Sequence, residues 1–170
     1  MYNCTSSWRA VMTADNLSNS QIRDILEEAS TIAIVGLSGN WFRPSYFAAK
    51  YLLARGYNVI PVNPNYDEIL GQPCVPDLAS IGGPVDVVDL FQRTENVAGF
   101  IEGAEKLDAK VFWMQLGIAN EEAATEARDK GMTVVMDRCM KIEYARLFGG
   151  LNWSGVNTGV ISSKRPRRVI

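Results

Sequence analysis

Five short apolar runs alternate with segments of helical spacing along this chain, and the alternation predicts the fold. Thr31 to Val35 is a β-prone run without polar alternation, as a strand covered on both faces of a parallel sheet requires. Tyr57 to Val62, Val85 to Phe91, Lys110 to Leu116 and Met132 to Met136 read as the further strands. Pro61 inside the second run marks where pairing should end. Between the runs lie helices. Pro44 opens one over Ser45 to Arg55, whose Phe47, Ala48, Tyr51, Leu52 and Leu53 recur at three and four residue intervals, and Gly56 supplies a left-handed cap. Thr94 is placed to cap a second, lined by Val97, Ala98, Ile101, Ala104 and Leu107, and Asn120 a third, from Glu121 to Lys130. Met140 to Leu147 forms a last helix. At the front, Ser20 stands before Ile22, Ile25, Leu26 and Ala29, which also have helical spacing. The expected fold is therefore α/β: an open parallel sheet of about five strands with helices on both faces, joined by right-handed crossovers. Ligands of such sheets bind at the carboxyl ends of the strands, beside the switch point.

The loop between the first strand and its helix is Gly36, Leu37, Ser38, Gly39, Asn40, Trp41, Phe42 and Arg43. Small residues at a helix start let an anion approach unpaired backbone N–H groups and the positive end of the helix dipole. Gly36 and Gly39 are candidates for that contact. The dinucleotide fingerprint is absent, because G-x-G-x-x-G would need glycine where Ser38 and Trp41 stand. No Gly-Lys-Ser/Thr follows Gly36, so the loop is not a P-loop. The second strand runs into Asn63 and Pro64, not into the acidic residue that grips the ribose of NAD. A phosphate-bearing adenine ligand other than NAD fits best.

Composition narrows the choice. With 170 residues, 47% of them apolar, the chain has the core of one domain, here placed at residues 20–148 between a mobile segment at 1–19 and a tail at 149–170. Seventeen Lys and Arg against 19 Asp and Glu leave no basic field for nucleic acid. No apolar run approaches a membrane span, so a soluble cytoplasmic protein is expected. Cys4, Cys74 and Cys139 are scattered and odd in number, which fits a reducing compartment and no metal site. Histidine is absent, which removes for this chain every mechanism needing an imidazole. The tail ends in Lys164, Arg165, Arg167 and Arg168, a solvated run or a contact for an acidic protein partner.

The strings IAIVGLS, RPSYFAAKYLLARGYNVIPVNPN, EILGQPC, VDVVDLFQR, WMQLGI, NEEAA and VVMDRCMKIE, in this order over residues 20 to 147, resemble the small single-domain CoA-binding proteins. Their domain is similar to the CoA-binding domain of the succinyl-CoA synthetase α subunit. The resemblance implies a Rossmann-like fold and coenzyme A or acyl-CoA as ligand, with no agreed reaction. Gly36, Ser38, Gly39, Asn40 and Trp41 then match the loop around the CoA phosphates. Asn63 and Pro64 border the adenosine, and Tyr66 replaces a cation. Arg43, Lys50 and Arg93 are the candidates to hold the 3'-phosphate in its place, Arg93 foremost, although Lys50 in mid-helix also reads as a solvated residue. Gln115, Leu116 and Gly117 match the strand end along which the pantetheine arm runs. The phosphohistidine domain of the ligase is missing, so its activity is not implied.

Three functions compete: a CoA-binding module that carries, senses or presents the cofactor without catalysis, an NAD(P)-type oxidoreductase or redox sensor, and an interaction subunit with a vestigial pocket. Cys139 carries a further expectation. Beside Arg138 and near a helix start, its thiol should be acidic and open to a mixed disulfide with CoA, set against the common role of cysteine as a packed residue.

Overall fold

The computed structural model describes residues 17–149. In chain order its elements are α1 (Asn19–Glu28), β1 (Thr31–Val35), α2 (Pro44–Ala54), β2 (Asn58–Val62), β3 (Glu68–Ile69), β4 (Gln72–Pro73), β5 (Val87–Leu90), α3 (Ile101–Lys106), β6 (Val111–Met114), α4 (Glu121–Asp129), β7 (Thr133–Val135) and α5 (Met140–Phe148). The expectations for the N-terminal segment up to residue 16 and for the tail from residue 150 lie outside the described residues.

Five strands form one parallel sheet in the order β2-β1-β5-β6-β7. Because successive side chains point to opposite faces, each strand feeds two cores. Ala33, Val35, Val88, Leu90, Phe112 and Met114 meet Ile101 and Ala104 of α3 and Ala123 and Ala127 of α4. Ile32, Ile34, Val87, Val111 and Trp113 meet α1, α2 and α5 through Ile22, Ile25, Leu52, Met140 and Leu147. The sheet is thus covered on both faces, which is why its strands lack polar alternation. Its chain order reverses between β1 and β5, so the two crossovers leave from that point to opposite sides and open a crevice at the strand ends. No helix among the described residues is long and apolar enough to cross a membrane.

Three local expectations change, and one hairpin is new. Ser18 caps α1, not Ser20: its hydroxyl accepts from the Gln21 N–H, and the Gln21 side chain accepts from the Ser18 N–H, a capping box. Pairing does not end at Pro61, which lies opposite Ile34 while Val62 lies opposite Val35. Proline is accommodated because β2 is an edge strand, and its carbonyl accepts from Val75 N–H on the outer side at 3.0 Å. Arg93, not Thr94, occupies the cap of the helical segment after β5, which begins as a 3-10 helix over Thr94–Phe100 before α3. The β3–β4 hairpin has no apolar run to announce it, and it turns on Leu70 and Gly71, both with positive φ, as a two-residue turn between twisted strands demands.

The second core contains a buried ion cluster. Glu143 of α5 is fully buried and pairs with both Arg138 and Arg146. Arg138 also donates to Leu17 O and Arg146 to Asn19 Oδ1, so the cluster ties α5 to the start of α1. Removing the shared carboxylate leaves two guanidinium groups facing each other in the core. Glu143→Ala should therefore lower the unfolding free energy by about 3–5 kcal/mol, measured by urea titration; a loss below about 1 kcal/mol, in the range of an exposed pair, would contradict this role.

Candidate functional site

A cavity of about 780 Å³ opens at the carboxyl ends of the central strands. Gly36 and Ser38 follow β1, Phe91 and Gln92 follow β5, and Gln115, Leu116 and Ile118 follow β6. Two helix starts complete the walls: Arg43, Pro44, Ser45 and Phe47 at the head of α2, and Cys139, Lys141 and Ile142 at the head of α5. Both dipoles present their positive ends, with one guanidinium and one ammonium beside them. The site is built for an anion at its walls and for apolar surface along Leu116, Ile118 and Ile142.

The loop above the cavity is held by short-range bonds. Ser45 Oγ accepts from Ser38 N–H, Ser38 Oγ from Asn40 N–H, and Asn40 Oδ1 from Phe42 N–H. Asn63 donates from Nδ2 to Leu37 O at 2.8 Å, fixing the loop to the end of β2. Gly36 has a φ of +82°, and a Cβ there would lie 2.4 Å from Phe91 O and 2.9 Å from Gln92 Nε2. Only glycine fits. Tyr66 covers Gly39 so closely that a Cβ would lie 2.7 Å from its ring. Trp41 and Phe42 stack with centroids 4.1 Å apart at the rim, 59% and 70% exposed.

Gln115 of the lining is one half of a buried polar pair whose other half, Asp89, lies outside the lining. Asp89 is the third residue of β5, opposite Ile34 and Trp113, and it is fully buried. Gln115 donates from Nε2 to both carboxylate oxygens of Asp89, at 2.7 and 2.9 Å. Burial pushes the Asp89 carboxyl up to about 7, against the opposing pull of the Gln115 amide and the Leu90 N–H. Neither the composition nor any spacing signals Asp89; its run VDVVDLF reads as plain strand, and only the third dimension brings Gln115 to it.

The structure sets Gly36, Ser38, Arg43, Gln115 and Leu116 around the cavity. Gly39, Asn40 and Trp41 belong to the same loop but lie outside the lining, as do Asn63, Pro64 and the exposed Lys50 and Arg93. Gly117 follows the lining residue Leu116, and its N–H donates to Asp137 Oδ1. Phe47, Phe91, Gln92, Lys141 and Ile142 join the lining without any sequence signal, since each depends on how α2, β5 and α5 converge. Cys139 does line the cavity, but its thiol is not acidic. Burial and the Asp89 charge push it up, outweighing the amides of Ile142 and Lys141, while Arg138 is engaged with Glu143 and Leu17. Among the described residues no group of His, Cys, Asp and Glu is arranged to hold a metal ion.

Comparison with known proteins adds a family. The family described as CoA binding domain matches residues 30–145. The chain is 44% identical over 130 residues to the uncharacterized protein YneT of Bacillus subtilis, a match covering 76% of this chain and 96% of that protein. A hypothetical protein of Pyrococcus horikoshii shares the fold with a TM-score of 0.77 at 40% identity, covering 82% of this chain and 98% of that one. An acetyl-coenzyme A synthetase of Candidatus Korarchaeum cryptofilum, in complex with phosphate and ADP, matches at 26% identity and a TM-score of 0.60 over 71% of this chain and 28% of its own length.

Asp89 makes the stability of the unliganded protein depend on pH. Its folded-state carboxyl titrates near 7 while an unfolded aspartate titrates near 3.9, so its contribution is fully present below about pH 4 and is lost as pH rises toward 7. No histidine competes in that window. Thermal melting of the wild type should fall from pH 5 to pH 7.5, and Asp89→Asn should flatten the curve and exceed the wild type at pH 8. An unchanged slope in the variant would place the titrating group elsewhere.

Proposed function

The chain belongs to the CoA-binding domain family, and on that premise we propose that it binds coenzyme A, free or acylated, in the cavity between α2 and α5, carrying or presenting it without transforming it. The observation that supports this most is the pairing of a glycine loop and two helix starts with Arg43 and Lys141 on one cavity at the switch point. The diphosphate lies at the first turn of α2, where Arg43 grips it in a fork, beside a β1 loop whose Gly36 and Ser38 N–H groups are already spent on Val62 O and Ser45 Oγ. The pantetheine arm follows Leu116 and Ile118 inward to Gln115. The adenosine lies toward Asn63 and Pro64, beyond the cavity lining.

The absence of chemistry follows from the residues along that path. Ser38 and Ser45 have no imidazole to activate them in a chain without histidine, and burial keeps the Cys139 thiol protonated. Dinucleotide binding remains the rival reading by virtue of the fold. Against it stand Ser38 and Trp41 in the places of loop glycines and Asn63 in the place of an acid.

Calorimetry with CoA and NAD separates the two readings: CoA should bind and NAD should bind more weakly or not at all, whereas tighter NAD would overturn the proposal. Arg43→Ala should weaken CoA by roughly tenfold to a hundredfold, the loss of one charge-assisted contact. Arg93→Ala should do less, because Arg93 stands outside the lining; the reverse ranking would move the phosphates to the β5 side.

A further inference from the structure

Gln115 is 3% exposed, lines the cavity, and spends its Nε2 on Asp89. No group among the described residues donates to its Oε1. The lining therefore offers the cavity an accessible amide oxygen without a protein donor, held there by the carboxylate that takes the amide N–H. An ionised carboxylate only accepts, so it fixes the amide with the N–H inward and the oxygen toward the cavity. A protonated carboxyl can donate. Its O–H can then bond Oε1 after rotation about the last amide torsion, which is broad and two-fold, and the amide N–H becomes the polar group facing the cavity.

We propose that Asp89 is a positioning residue that, through Gln115, sets whether the inner end of the cavity accepts or donates a hydrogen bond, and so whether it selects a free thiol or an acyl thioester carbonyl at the end of the bound cofactor. This rests on the reading of the cavity as a CoA site. A free thiol has a proton to donate and suits the oxygen; a thioester carbonyl has only an acceptor and suits the N–H. The exchange concerns protons and hydrogen bonds alone, and no covalent bond of the ligand changes.

The other groups near the carboxyl leave it as the variable element. From α5 the Cys139 thiol faces it, and burial keeps that thiol neutral through the neutral pH range. From β1 and β6 its register partners are Ile34 and Trp113, which do not titrate, and its own strand supplies the Leu90 N–H. Arg43 and Lys141 are the charged side chains of the cavity lining itself.

The test is the ratio of acetyl-CoA to CoA affinity, measured by calorimetry on the full chain at pH 5.5, 7 and 8. The ratio should favour acetyl-CoA at pH 5.5 and shift toward CoA by about tenfold at pH 8, the effect of exchanging one acceptor for one donor. Asp89→Asn should bind both ligands with a ratio independent of pH, and Gln115→Met should also remove the dependence. A constant ratio in the wild type, or a full shift retained in either variant, overturns the proposal while leaving CoA binding intact. Failure of both ligands to bind at every pH removes the CoA reading itself, and this inference with it.

Discussion

Three strand ends converge on Gly36, and the rest of the site depends on that contact. Its N–H donates to Val62 O at 2.9 Å, the preceding carbonyl of Val35 accepts from Phe91 N–H at 2.9 Å, and its α-carbon lies against Phe91 O with no space for a Cβ. The chain can therefore leave β1 with positive φ at the level where β5 also ends. That fixes where the loop begins, hence where α2 starts and which way its first turn faces. A larger residue would push the loop away from β5 and open the crevice that the cofactor is proposed to fill. The same glycine that reads in the sequence as a ligand contact is required by the sheet itself, and the two needs coincide in one atom position.

The lining brings three kinds of chemistry to one cavity: the cations Arg43 and Lys141 beside two helix starts, the apolar Leu116, Ile118 and Ile142, and the Gln115 amide with the Asp89 carboxyl bonded to it. A buried carboxyl costs stability when ionised, and Asp89 is the one charged residue of a strand otherwise made of Val and Leu. The Glu143 cluster is of a different kind: its arginines are spent on tying α5 to α1, and it lies outside the cavity lining.

The main sheet was legible because its strands are largely buried on both faces and show as short, mostly apolar β-prone runs, with Asp86 and Asp89 the exceptions in the third. The small hairpin was not, since two residues per strand carry no period and Leu70 is an unusual occupant of a left-handed turn. Pro61 misled because sequence does not tell an edge strand from a central one. At the site, the β1 loop and Gln115 could be found from position in the pattern, whereas Lys141, Ile142 and Phe47 reach the cavity only through the packing of α2 and α5. Cys139 shows the limit most plainly. Its neighbour Arg138 promised an acidic thiol, but the fold turns that guanidinium to Glu143 and leaves the thiol to burial.

The most direct test of the account is an amide NMR titration of the full chain with CoA. The largest shifts should fall on Gly36 to Ser45, on Gln115 to Ile118 and on Cys139 to Ile142, three stretches distant in sequence that meet at this cavity. Shifts centred instead on the opposite end of the sheet, around Gly82, Gly83 and Leu107, would contradict it.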